Sequence, residues 1–227
     1  DDTQLRNLEE RLAYLRELEE RRAAVLASVA EQGKLTDALR AEIEDADTKQ
    51  RLEDLYLPYR QKRRTKAQIA REAGLEPLAL ALLADPGLSP EAAAAAYVDA
   101  GKGIADTKAA LDGARQILIE KFAEDAGLLG KLRRHLGEHG LMVASVQEGK
   151  DDEGQKFRDY FGYSDALSEI PSHRALALFR GRNEGILKLE LKLPEELAPA
   201  VSGGDSGRAA NTCEGMIASH WGVRDQG

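Results

Sequence analysis

The sequence predicts a mostly α-helical protein: a multi-helix array with a long helical hairpin, a helix-turn-helix-like unit and a small antiparallel β element. Two observations on composition lead to this class. Hydrophobic residues make up 42% of the 227-residue chain but aromatic residues only 5%. The core must therefore consist of leucine, alanine, valine and isoleucine, which favours helices over a β-sandwich or barrel. The third observation is a leucine pattern with helical spacing at the start of the chain.

Residues 1–64 are predicted to form the long helical hairpin. A helix over 4–32 ends at Gly33, Thr36 caps a second helix, and a short third helix stops at Pro58. The apolar stripe of the first helix begins with Leu5, Leu8, Leu12 and Leu15. We expect this stripe to form the seam of the hairpin.

Residues 65–140 are predicted to form a helical bundle that contains the helix-turn-helix-like unit. Thr65 caps the first helix of the unit, Gly74 makes the turn, and the second helix begins at Pro77. The inward-facing residues of the first helix are expected to be Ile69 and Ala70. The second helix has no Arg, Lys, Asn or Gln to address base edges, so we expect the unit to serve packing. Further helices are predicted from Pro90 and over 106–126 and 127–139.

Residues 141–200 are predicted to combine helix with a small sheet. Apolar and polar residues alternate over 141–148 and 186–193, which predicts two strands that can pair. A helix begins at Pro171, and a turn flanked by Gly181 and Gly185 follows it.

Residues 201–227 are predicted to be a linker followed by a terminal helix over 211–221. The linker contains Gly204-Asp205-Ser206-Gly207, which matches the serine-nucleophile loop of trypsin-like proteases. Those enzymes need a double β-barrel and an upstream His and Asp, which this sequence does not supply. We therefore interpret the segment as a flexible linker.

The charge and the single cysteine limit the possible functions. The chain carries 32 Lys and Arg against 40 Asp and Glu, a net charge of −8, which argues against a general nucleic-acid clamp but allows a local basic patch. Cys213 alone cannot form an internal disulfide and fits a reducing cytosol. No apolar run reaches the about 20 residues of a membrane span. We expect a cytoplasmic fragment of a longer protein, since the chain starts without Met and enters a helix at once.

The densest basic run lies over 59–66 and is the strongest candidate for binding a ligand. Lys and Arg side chains contact phosphates without reading sequence; the alternative is a solvated basic surface. A second basic segment follows at 180–185, where the alternative is a turn whose arginines pair with acidic neighbours. The candidate nucleic-acid contacts are Lys62, Arg63, Arg64, Lys66, Arg180 and Arg182.

A possible zinc site is indicated by the segment His135-Leu136-Gly137-Glu138-His139, which matches the H-x-x-E-H pattern of one class of zinc proteases. Histidines at i and i+4 share a helix face, Glu138 would be the general base, and Glu214 is a distant candidate for the third ligand. Gly137 weakens the helix where the site must be rigid. We therefore prefer a solvated helix end, and we expect no catalytic residue, metal or cofactor.

Seven segments resemble one known family. They are LEDLYLPY at 52–59 with KRRT at 62–65, IAREAGLEPL at 69–78, LDGAR at 111–115, FRDYF at 157–161, and PSHRALA with FRGRNEG over 171–185. In this order they resemble the N-terminal region of the bacterial Tex family of transcription accessory proteins. Over 194–210 the chain departs from that family.

The resemblance implies a cytosolic parent protein that binds nucleic acid and is related to a eukaryotic transcription elongation factor and histone chaperone. Such proteins continue into an RNase-H-like domain, helix-hairpin-helix units and an RNA-binding OB-fold, none of which lies in this sequence. We therefore expect a non-enzymatic scaffold portion that acts in transcription or RNA metabolism through transcription machinery proteins and weak, non-specific nucleic-acid contacts. The alternatives are a zinc-dependent hydrolase and a structural arm without a ligand.

Overall fold

The computed structural model describes residues 1–197 and 212–223, which contain eleven α-helices and one three-stranded sheet. The predicted linker and the Gly204–Gly207 motif lie outside the described residues. The strands are β1 (Leu141–Val146), β2 (Gly162–Ala166) and β3 (Leu187–Lys192). The helices are α1 (Asp2–Glu31), α2 (Asp37–Asp45), α3 (Lys49–Tyr56), α4 (Lys66–Glu72), α5 (Glu76–Ala84), α6 (Pro90–Ala95), α7 (Thr107–Ala123), α8 (Ala126–His139), α9 (Ser172–Asn183), α10 (Pro194–Leu197) and α11 (Thr212–Trp221).

The chain divides into two compact units. The first unit comprises Asp1–Gly130 with His220–Gly227, and the second comprises Lys131–Ser219. The mostly helical class predicted from the sequence is confirmed, while the predicted domain boundaries remain predictions. None of the described helices has both the length and the apolar character that crossing a membrane requires.

Side-chain caps set the starts of several helices, and the caps at Thr36 and Thr65 are predicted from the sequence. In each case the cap oxygen accepts a hydrogen bond from a backbone N–H in the first turn, which satisfies a donor that the helix leaves unpaired. Gly74 adopts a φ of +87° in the turn between α4 and α5, a conformation that favours glycine. The capping residues are Thr36, Thr48, Thr65, Ser89 and Asp106.

Helix α1 is buried only in its second half. There Leu18, Val25 and Val29 pack with Ile43 and Leu52 in the core that α1 shares with α2 and α3. The four leucines expected to start the hairpin seam are instead 42–65% exposed. The first residue of α3, Lys49, reaches α1 at Tyr14, whose hydroxyl accepts a hydrogen bond from the Lys49 backbone N–H. The buried part of the predicted seam begins at Leu18.

The remaining core of the first unit forms where α4, α5 and α6 pack on α7. Ala67 and Ala70 are the buried residues of α4. Ile69 is 48% exposed, so the prediction that it packs inward is wrong: residues spaced by three share a helix face, and Ile69 lies off that face. A Cβ on Gly113 of α7 would lie 2.3 Å from Leu75 Cδ1, so a larger residue at this position would displace the Leu75 side chain.

The sheet of the second unit has the strand order β2-β1-β3, and both pairings are antiparallel. The predicted pairing of 141–148 with 186–193 is confirmed, with Ala144 opposite Leu189. Strand β2 was not predicted from the sequence. Its residues include Gly162 and Asp165, which have low strand propensity, so its structure depends on pairing with β1.

Helix α9 continues to Asn183, through the glycine at which the sequence predicted a turn. Gly181 is buried, and a Cβ there would lie 2.6 Å from Leu187 Cδ1. The glycine therefore lets α9 lie close to β3. The turn itself falls at Gly185, whose φ is +72°.

Candidate nucleic-acid interface

The predicted basic run borders an open groove of about 660 Å³ in the first unit, hereafter the basic groove. The run connects a 3-10 turn at Leu57–Tyr59 to the start of α4. Four acidic side chains also line the groove: Glu76, Glu120, Glu124 and Asp125. Its seven basic side chains are Lys34, Arg60, Lys62, Arg63, Arg64, Arg71 and Lys121. The lining is therefore net positive, although the whole chain has a net charge of −8.

Two of the predicted phosphate contacts are already paired with carboxylates. Lys62 Nζ lies 3.8 Å from Glu120 Oε1 and also pairs with Glu124. Arg64 Nη2 lies 2.5 Å from Glu72 Oε2. A phosphate would have to compete with these carboxylates for Lys62 and Arg64.

Glu120 on α7 fixes the position of the run. Its side chain is 15% exposed, and it accepts hydrogen bonds from Arg71 Nη1 at 2.5 Å and from Thr65 Oγ1 at 3.0 Å. Burial raises the pKa of Glu120, but the hydrogen bonds from Arg71 and Thr65 and the charge of Lys62 outweigh burial and lower it. Since Thr65 also caps α4, this ionised carboxylate joins the end of the run to α7.

The other two predicted contacts in the run, Arg63 and Lys66, are exposed. Neither forms an ion pair with a residue in the described part of the chain. Arg63 lines the basic groove, whereas Lys66 lies outside its lining. Arg63 is therefore the predicted contact that the structure leaves most available to a phosphate.

Three basic side chains of the groove are not among the predicted contacts. Arg60 belongs to the run, and Lys34 and Lys121 come from distant parts of the chain. Within residues 1–197 and 212–223, these three cations also have no carboxylate at ion-pair distance. No local sequence signal could have placed Lys34 and Lys121 beside the run.

The only tryptophan of the chain, Trp221, lines the basic groove. Its ring stacks on Phe122 with a centroid distance of 4.8 Å and an interplanar angle of 20°. Lys121 Nζ lies 5.3 Å from the centroid of the Trp221 ring, within the range of a cation–π interaction. Trp221 can therefore report on changes in the groove.

The last two predicted contacts, Arg180 and Arg182, lie on α9 in the second unit. Arg180 Nε is 2.9 Å from Glu184 Oε1. The guanidinium carbon of Arg182 is 5.0 Å from the ring centroid of Phe179. Neither arginine is among the residues that line the basic groove.

The histidines of the zinc motif lie near the end of α8, with ring centroids 4.8 Å apart. Glu138 Oε2 is 3.9 Å from His139 Nε2. Over the ranges that the structure describes, no group of three or more His, Cys, Asp or Glu side chains is placed to hold a metal ion. Glu214 therefore does not complete a site with His135 and His139 in this arrangement.

Comparison with known proteins finds one family and several longer relatives. A family model described as Tex central region-like matches residues 85–227. Protein YhgF of Escherichia coli is 58% identical over 224 residues, which are 99% of this chain and 28% of that protein. Transcriptional accessory protein Tex of Neisseria gonorrhoeae is 59% identical over 199 residues, 88% of this chain and 26% of that protein. S1 RNA-binding domain-containing protein 1 of Pongo abelii is 29% identical over 203 residues, 86% of this chain and 20% of that protein. The chain thus spans about a quarter of the length of its bacterial relatives.

Proposed function

The chain belongs to the Tex family, and from this premise we propose that it is a scaffold portion of a transcription accessory factor that contacts nucleic acid non-specifically through the basic groove. The proposal includes no active site in this chain and a location in the cytosol. The observation that supports the proposed nucleic-acid contact is the net positive lining of the groove in a chain whose net charge is −8. The concentration of cations in one concave site is the electrostatic footprint of a phosphate ligand.

The cations without a carboxylate partner define where phosphates would bind. We propose that four cations in the lining neutralise phosphates: Arg63, Arg60, Lys34 and Lys121. Their binding would release the counterions condensed on the nucleic acid. Lys62 and Arg64 contribute less, because each would have to give up its ion pair with a carboxylate in order to bind a phosphate.

We expect this binding to be independent of base sequence. The groove is concave, whereas the readers of base edges in a duplex insert a helix or a β-ribbon into the major groove. Helix α5, which follows the turn at Gly74, has the sequence EPLALALLA and therefore no side-chain donor for a base edge. The helix-turn-helix-like unit thus supports packing on α7 rather than recognition.

The names of the relatives support a role in transcription or RNA metabolism. One relative is named a transcriptional accessory protein and another is named for an S1 RNA-binding domain. We propose that a longer protein of this family acts on RNA together with the transcription machinery. In it, the present chain would add phosphate contacts and orient the remaining domains.

Replacing Lys62, Arg63, Arg64 and Lys66 with alanine should weaken binding of a fluorescein-labelled oligonucleotide about tenfold and flatten its salt dependence. Because Lys62 and Arg64 are already paired and Lys66 lies outside the groove lining, we expect the slope of log K against log salt to fall by about one contact, or about 0.7 for a single strand. Fluorescence anisotropy over a salt series measures both quantities, and the loss should be similar for unrelated base sequences.

A control with the same net charge replaces four exposed cations outside the groove: Arg6, Arg16, Lys108 and Arg134. This control should retain the wild-type slope. Oligonucleotide binding should also change the emission of Trp221, since it is the only tryptophan and lines the groove. The proposal fails if the wild-type chain shows no salt-dependent binding, or if the two quadruple variants lose affinity equally.

A further inference from the structure

Helix α9 of the second unit presents an apolar surface to solvent. Leu176 is 70% exposed and Phe179 is 41% exposed. The two side chains are three residues apart and therefore neighbours on one face of the helix. Leu178 and Gly181 on the opposite face are buried, so the exposed pair is not turned towards the core of the unit.

Basic side chains surround this apolar pair. The sequence of α9, SHRALALFRGRN, contains no acidic residue. His173, Arg180 and Arg182 are all exposed, and the guanidinium of Arg182 lies over the Phe179 ring. Arg174 is four residues before Leu178 and therefore lies on the other side of the helix. One nearby carboxylate offsets part of the charge: Glu184, 2.9 Å from Arg180. The face remains positive around an apolar centre.

The core beneath this face, between α9 and β3, is tightly packed. Gly181 brings α9 so close to β3 that a Cβ would lie 2.6 Å from Leu187 Cδ1. Leu187 and Leu178 are buried in the same core as Phe157. A partner would therefore meet a preformed surface, which lowers the ordering cost of binding.

We propose that the exposed face of α9 is a docking surface for an acidic protein segment that carries apolar side chains, such as an amphipathic helix with aspartate or glutamate beside leucine. Its charge is complementary to the arginines, and its apolar side chains would bury Leu176 and Phe179. Arginine and aromatic residues are the types that dominate binding energy at protein interfaces. Nucleic acid fits this face less well, because its centre is the aliphatic Leu176, 70% exposed, which offers a phosphate or a base edge no polar contact. The inference is independent of the basic groove.

The test uses the 227-residue chain and a synthetic fluorescein-labelled amphipathic peptide with leucines at helical spacing and glutamates on the flanks. We expect binding by fluorescence polarisation that weakens about tenfold in the Leu176→Ser, Phe179→Ser double variant. Arg182→Gln should weaken binding and reduce its salt dependence. The matched control is Leu8→Ser, because Leu8 is also a helical leucine and is 65% exposed; it should bind as the wild type does.

Because Leu176 and Phe179 are exposed, the double variant should keep the melting temperature of the wild type, which separates lost binding from unfolding. A peptide with lysine in place of every glutamate should not bind. The proposal is overturned if the acidic peptide does not bind, if the double variant binds it as well as the wild type does, or if an unlabelled oligonucleotide displaces it. Self-association of the wild type that the double variant abolishes would also overturn it, since the occupant would then be a second copy.

Discussion

Replacing Glu120 with glutamine is expected to lower the free energy of unfolding by about 1–3 kcal/mol, the range for hydrogen bonds to a charged group that is largely removed from water. Glutamine keeps the size of the side chain but cannot compensate the charges of Arg71 and Lys62. Arg71 and Glu120 are 29% and 15% exposed, so solvent screens their ion pair less than it screens a surface pair. Denaturant unfolding of the two proteins at neutral pH measures the difference.

The difference should depend on pH in a direction that the pKa of Glu120 fixes. Folding lowers this pKa, so the unfolded state binds the proton more tightly, and the carboxylate stabilises the fold above the ordinary glutamate pKa. That stabilisation is lost as the pH falls through the lowered value. The wild type should therefore exceed the glutamine variant in stability at neutral pH and approach it in acid. The pKa of Glu53 is also lowered, by its hydrogen bond from Arg21. Because Glu53 is present in both proteins, its contribution to the pH dependence cancels in the comparison.

Glu72→Gln is the matched control for this prediction. Glu72 also accepts a hydrogen bond from an arginine of the groove, Arg64, and its pKa is lowered by that bond. It is exposed to solvent, however, and we expect its replacement to leave stability unchanged within error. If Glu120→Gln also leaves the free energy of unfolding unchanged, the contacts of Glu120 do not hold the basic run against α7.

The parts of the fold that were predicted from sequence depend on local chemistry. A threonine that caps a helix acts within three residues of itself, and the starts at Thr36 and Thr65 could be identified without knowledge of the rest of the chain. The same is true of the alternation that predicted β3. Four of the six candidate phosphate contacts, Lys62, Arg63, Arg64 and Lys66, were likewise predicted from one contiguous run.

The parts that were missed depend on partners far away in the chain. Lys62 and Glu120 are 58 positions apart, and nothing in the run indicates that α7 supplies its carboxylate. Lys34, Lys121 and Trp221 join the groove only through tertiary packing. Helical spacing predicted an apolar stripe on α1, but spacing alone cannot say how much of a stripe another element covers.

That stripe supplies the prediction with the largest effect on stability. Leu18→Ala should cost about 2–5 kcal/mol, because the side chain is 2% exposed and its removal leaves a cavity between α1 and the buried residues Ile43 and Leu52. Leu8→Ala, on the same helix, should cost less than about 0.5 kcal/mol, because Leu8 is 65% exposed. Both changes replace leucine with alanine inside α1, so any difference in helix propensity is the same for the two variants.

Thermal and denaturant unfolding of the two variants, compared with the wild type at several protein concentrations, measures the contrast. A large cost for Leu18→Ala with almost none for Leu8→Ala means that the core ends where α2 and α3 stop covering α1. Equal costs would contradict that boundary, because leucine in water gains nothing from burial. If the cost at Leu8 grew with protein concentration, the first half of α1 would be packing against another molecule.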